Sequence, residues 1–192
     1  MGDLLTTPKG TITIRRACVD DAAALRELRL EALGAHPEAF AADYAATAAD
    51  SVETWSRLVA NYAVDAKGVV CVAAADDGLI GMLGLVRGHW PKTRHAGTLW
   101  GVYVRPDWRG LRVAEALLQE CCVWGRTHGL TVIKLAVTTT NIPAIRCYAR
   151  CGFTVYGVDP QVIYTNGTFY DELLMARPTS AGQSAGRLSR SA

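Results

Sequence analysis

The chain has 192 residues, half of them apolar and a fifth charged, with a formal net charge of +2 at pH 7. Such a length holds one domain with a proper core. The small charge, with no Lys/Arg block carrying interleaved aromatics, argues against a nucleic-acid or membrane-surface binder. No apolar run approaches a membrane span and no charged start precedes a hydrophobic signal core, so the expected location is cytoplasmic.

Residues 1–10 are polar, end in Pro8-Lys9-Gly10 and read as a flexible arm. Residues 11–17 alternate polar and apolar side chains, as a strand does. Asp20 or Asp21 then caps a helix with Leu25, Leu28 and Ala32 on its apolar face, stopping near His36-Pro37 because the residue before a proline is pushed out of the α region. The Ala-rich stretch 38–50 reads equally as loop or short helix, and Ser51 caps a second helix through Trp55. Residues 69–75 and 79–86, joined by Asp76-Asp77-Gly78, make a hairpin with Asp-Gly turn chemistry. A β-branched, aromatic strand follows over 98–104, bounded by Gly97 and Pro106.

After it, Val113, Leu117, Cys121 and Trp124 recur at helical spacing, flanked by Ala114, Leu118 and Cys122. Between strand and helix lies a short turn holding Arg109, Gly110 and Arg112, with no acidic residue from Trp108 to Ala114. The first turn of a helix has backbone N–H groups without intrahelical partners and carries partial positive charge. Gly110 allows close approach and two guanidinium groups add full charge, so the turn suits an anion such as a phosphate. Solvated basic turns are common as well.

Residues 132–138 are another strand, and Asn141 opens a helix with Pro143 in its first turn that ends near Cys151-Gly152. Residues 153–158 and 168–176 supply two closing strands, and 177–192 read as a disordered tail. The order β, α, α, β, β, β, α, β, α, β, β implies one mixed sheet flanked by helices. The six cysteines include a neighbouring pair and an i,i+4 pair but no CxxC, and are expected to be reduced, with no metal site. A loose myristoylation match at Met1-Gly2 and a sequon at Asn166-Gly167-Thr168 are short enough to arise by chance.

The Asn141 helix reads Asn141-x-x-Ala144-x-x-x-Tyr148-x-x-x-Gly152-Phe153, with Ala144, Tyr148 and Gly152 on one stripe. A lone tyrosine there is ordinarily a core residue. Together with the turn Arg109-Gly110-Leu111-Arg112-Val113-Ala114 and the closing strand Tyr170-Asp171-Glu172-Leu173-Leu174-Met175, however, the pattern resembles the GCN5-related N-acetyltransferase (GNAT) superfamily over roughly residues 11–176. One departure stands out: Arg112 occupies a position of the first motif that is normally glycine.

The resemblance implies an α/β (α+β) fold of 11–176, with a mixed, mostly antiparallel sheet of about seven strands and about four helices. It implies acetyl-CoA as co-substrate, an amine as acceptor, direct attack in a ternary complex, and a monomer or homodimer. Main-chain groups of Val102, Tyr103 and Val104 would pair with the pantetheine arm. The amides of Gly110, Leu111, Arg112, Val113 and Ala114, with Arg109, would hold the pyrophosphate. Asn141 and Ala144 would meet the pantetheine region, and a backbone N–H near Val102 or Val104 would face the oxyanion.

Tyr148, with an ordinary pKa of about 10, would protonate the leaving thiolate. Residues 98–104 contain no carboxylate, so no base is assigned; His89, His95, Asp171 and a water relay are the candidates. The acceptor would be a small-molecule amine, chosen by loops 36–50 and 87–97. A peptide amine, for which Glu38, Asp43, Glu53 and Asp171 supply acidic groups, and a non-catalytic acyl-CoA-binding module are the alternatives. A P-loop nucleotidase is poorly supported, since the turn lacks the Gly-Lys-Ser/Thr ending.

Overall fold

The computed structural model describes residues 2–179, which form an eight-stranded sheet with helices on both faces. The strands are β1 (Asp3–Thr7), β2 (Gly10–Arg16), β3 (Gly68–Ala75), β4 (Gly78–Arg87), β5 (Ala96–Val104), β6 (Val132–Thr138), β7 (Thr154–Thr165) and β8 (Thr168–Pro178). Their spatial order is β1-β2-β3-β4-β5-β6-β8-β7, and every pairing is antiparallel except β5 with β6. The α-helices are α1 (Ala22–Ala35), α2 (Tyr44–Ala49), α3 (Val52–Ala63), α4 (Val113–Thr127) and α5 (Ile142–Arg150). Among the described residues, no helix is long and apolar enough to cross a membrane.

The sheet divides the apolar interior in two. Side chains alternate across β3, so Val69, Cys71 and Ala73 pack with Leu117, Cys121 and Tyr148 on one face, while Val70 and Val72 pack with Leu25, Leu28, Trp55 and Val59 on the other. A strand covered on both faces needs apolar residues at successive positions, as 69–75 has. The stripe expected on α4 is the buried one, from Val113 at 1% exposure to Trp124 at 4%.

The mixed, mostly antiparallel sheet is as expected, with one strand and one helix more than the sequence reading counted. Residues 3–7, read as a flexible arm, are β1, paired to β2 from Asp3↔Ile14 to Thr7↔Gly10. Pro8-Lys9-Gly10 is its hairpin turn, with Gly10 at φ 120. Two leucines are too weak a pattern to announce a strand; the ladder on β2 and the packing of Leu5 on the core make it one. β7 runs past residue 158 through an irregularity at Asp159/Ile163 to a tight turn at Asn166 and Gly167, both at positive φ. Of the tail expected over 177–192, Arg177 and Pro178 belong to β8, and 180–192 lie outside the described residues.

β5 and β6 are in register only over Ala96↔Val132, Gly97↔Ile133 and Thr98↔Lys134. Beyond Thr98 they diverge, β5 staying with β4 and β6 with β8. The sheet is therefore split along half of β5, with the entrance to α4 beside the open end of the split and α5 along one side.

Candidate active site

The split is a cleft of about 680 Å³, walled by Leu99 to Val104 of β5, Leu135 to Thr138 of β6, the start of α4, the inner side of α5 and residues 36 and 38–40. In an antiparallel ladder the N–H and C=O of one residue point to the same edge and those of the next to the other. Arg105 N–H donates to the Ile80 carbonyl of β4 and Arg109 Nε donates to the Val104 carbonyl from the open side, 2.9 Å in each case. Val104 and Val102 thus present their main chain to the cleft, whereas Tyr103 turns its own to β4. The Tyr103 hydroxyl donates to Glu31 at 2.9 Å behind the sheet.

At the α4 entrance the backbone is left-handed twice, at Gly110 (φ 78) and at Arg112 (φ 62), with Leu111 between them. Alternation of this kind turns successive amides into one concavity. Among the described residues, the N–H groups of Gly110 through Glu115 have no hydrogen-bond partner. The glycine usual at position 112 is thereby explained: the position does require positive φ, and arginine takes it at a cost of about 1 kcal/mol.

Neither guanidinium of the turn points freely at those amides. Arg109 reaches back over the Tyr103 ring, at 5.6 Å, to Val104 O and to His36 Nε2 at 3.1 Å. Arg112 Nε donates to Glu115 at 2.8 Å, and Arg150 Nε to the other oxygen of the same carboxylate at 2.8 Å. The two arginines hold the Glu115 carboxyl below the usual carboxylate range. Leu111 packs its side chain against the core and is absent from the cleft wall.

On the opposite wall, Asn141 caps α5, its Oδ1 accepting from the Ala144 amide at 3.2 Å, which leaves its NH2 group to donate elsewhere. Ala144 and Tyr148 follow on the cleft-facing stripe. The Tyr148 ring is buried and packs edge-on against Phe153 at 6.2 Å. Burial, with smaller contributions from Cys147 and Cys151, pushes its phenol above the ordinary value. Thr138 Oγ1, at the end of β6, is buried on this wall with no partner among the described residues.

The candidate bases lie elsewhere. His89 and His95 are exposed in the connection from β4 to β5, at the closed end of the split, so segment 87–97 does not reach the cleft. Asp171 accepts from the Gln161 amide at 2.8 Å and pins the irregularity in β7. Of the acidic residues considered for a peptide groove, Glu38 alone is on the cleft wall, with His36 Nδ1 at 3.5 Å. The grouping of His36, Glu38 and Arg109 leaves no mark in the sequence, because a residue beside a helix-ending proline carries no periodic signal.

Residues 25–153 match the model of the acetyltransferase (GNAT) family. The chain is 29% identical over 171 residues to the L-amino acid N-acetyltransferase AaaT of Escherichia coli K12, covering 86% of this chain and 97% of that one. It is 32% identical over 146 residues to the aminoglycoside N(6')-acetyltransferase type 1 of Stenotrophomonas maltophilia, covering 73% and 85%. Among solved structures, yncA of Salmonella typhimurium, a putative acetyltransferase with its cofactor acetyl-CoA, superposes with a TM-score of 0.77 at 22% identity over 91% of this chain and 96% of that one.

Proposed function

Because the chain belongs to the acetyltransferase (GNAT) family, we propose that it transfers an acetyl group from acetyl-CoA to the primary amine of a small molecule, by direct attack in a ternary complex. One observation carries this reading: the amides from Gly110 to Glu115, all without partners among the described residues, stand at the positive end of a 15-residue helix beside an open strand edge. The rest of the cleft fits the same co-substrate. A diphosphate suits the amide concavity, an amide-bearing arm suits the edge at Val102 and Val104, and the unpartnered Thr138 hydroxyl awaits a polar group on the β6 side.

Acetyl-CoA supplies an activated thioester. Gly110 to Ala114 bind its diphosphate through their amides, with the Arg109 charge nearby, and the Asn141 NH2 group donates to the pantetheine region. A main-chain N–H of Val102 or Val104 donates to the thioester oxygen as negative charge grows there. Tyr148 delivers its phenolic proton to the departing sulfur and is reprotonated from solvent. The amine enters neutral and releases its surplus proton through water.

The relatives named above act on amino acids and aminoglycosides, which supports a small acceptor over a peptide. The test is thiol release from acetyl-CoA against a panel of amines, amino acids and N-terminal peptides. Release with a small amine is the expected result. Release with peptides alone moves the assignment to a peptide acetyltransferase, and heat protection by acetyl-CoA without any release makes the chain a binding module. Absence of both protection and release would sink the whole reading.

A further inference from the structure

Arg29, in the middle of α1, is 7% exposed. Arginine is almost never buried without an acceptor, because the charge loses its hydration and gains nothing in return. Even arginines that keep contact with water find carboxylates here: Arg15 meets Asp21, Arg105 meets Glu31, and Arg112 and Arg150 share Glu115. Among the described residues Arg29 has no ion pair, and its fully buried Nη1 has no hydrogen-bond partner. Burial lowers its pKa to about 10, with no carboxylate holding it up, so it remains a cation at neutral pH. The Phe40 ring, 4.6 Å from Cζ, is a weak substitute for an anion.

Its position gives this charge a use. Arg29 Nη1 and Cζ lie 3.5 and 3.9 Å from the point where a Cβ on Gly101 would stand. Gly101 and Phe40 line the cleft and Arg29 does not, so the guanidinium lies just behind the wall, at a point where Gly101 sets no side chain before it. Gly101 also adjoins Val102, whose main chain faces the reacting end of the cleft in the reading above. One residue of strand spans about 3.3 Å. A group recognised at Gly101 is therefore only a few bonds from the attacking nitrogen.

We propose that Arg29 recognises an anion on the acceptor, and that the acceptor is an amine with a carboxylate close to its amino group, in the simplest case an α-amino acid. The proposal rests on the acetyl-transfer reading of the cleft. The planar fork of the guanidinium matches a carboxylate through two parallel N–H donors. Phe40, which stacks on the charge and lines the cleft, offers an apolar surface to the acceptor's side chain.

The test compares kcat/KM for the protein amino acids, each beside its decarboxylated amine, in the wild-type chain and in Arg29→Gln and Arg29→Lys. In the wild type the best amino acid should exceed its amine at least tenfold, since a site built for a charged partner rejects the analogue lacking it. Arg29→Gln should collapse that ratio toward one, mainly through KM of the amino acid. If Arg29→Gln does not fold, Arg29→Lys, which keeps the charge but loses the fork, should lower the ratio at least threefold. Equal rates for the pair in the wild type, or a ratio unchanged in the variants, overturns the proposal while leaving acetyl transfer standing. Absence of both heat protection by acetyl-CoA and thiol release defeats the acetyl-transfer reading instead.

Discussion

Arg112 carries a Cβ into the left-handed region at φ 62, and its ion pair with Glu115 offsets part of the strain. Two substitutions separate these effects, because Arg112→Ala and Arg112→Gly both lose the ion pair but only alanine keeps the Cβ. Glycine should be the more stable by about 1 kcal/mol in urea denaturation; equal midpoints would mean that the backbone relaxes at no cost. Tyr148 makes the other residue-scale case. Burial raises its pKa above 10, so the phenol keeps its proton through neutral and mildly alkaline pH, and kcat should show no alkaline loss from this group below about pH 10. Tyr148→Phe should lower kcat at least roughly tenfold while the melting-temperature shift given by acetyl-CoA stays the same. An unaltered kcat would remove the hydroxyl from the proton path.

Among the elements, the entry into α1 is held by one carboxylate. Asp21 takes Arg15 at 2.6 and 2.8 Å and the Cys18 amide at 2.8 Å, tying β2 to the turn before the helix instead of capping α1 with its side chain. These bonds, the Arg15 pair foremost, lower its pKa below the ordinary 3.8. A carboxyl lowered in the folded state stabilises fully above its unfolded value and loses that contribution as pH falls through the folded one. Asp21→Asn should therefore cost about 1–3 kcal/mol at pH 7, with the difference from wild type shrinking below about pH 4. A gap that stays constant to pH 2 would show that the carboxylate charge is not what matters. The hairpin of β7 and β8 teaches a different lesson: Asn166-Gly167, met in the sequence as part of a sequon, is a favoured two-residue hairpin signal and would have announced the longer β7.

At the scale of the molecule, three residue pairs are all that join β5 to β6, and a ligand seated in the split binds both halves of the sheet at once. Acetyl-CoA at a hundred times its dissociation constant should add about 2.7 kcal/mol and raise Tm by roughly 5–10 °C. No shift at saturating concentration would contradict the cleft assignment. The stripe on α4, the caps at Ser51 and Asn141, the Asp-Gly hairpin and the basic turn were all legible in the chain, because each is a pattern among residues within one or two turns of each other. Tertiary structure alone decided that residues 3–7 are a strand, that β5 parts from β6 at Thr98, that Arg109 is drawn to His36, and that Arg29 is buried without a counter-charge. Those outcomes depend on which distant segment supplies the missing hydrogen bond or charge, and a partner tens of residues away leaves no mark on local periodicity.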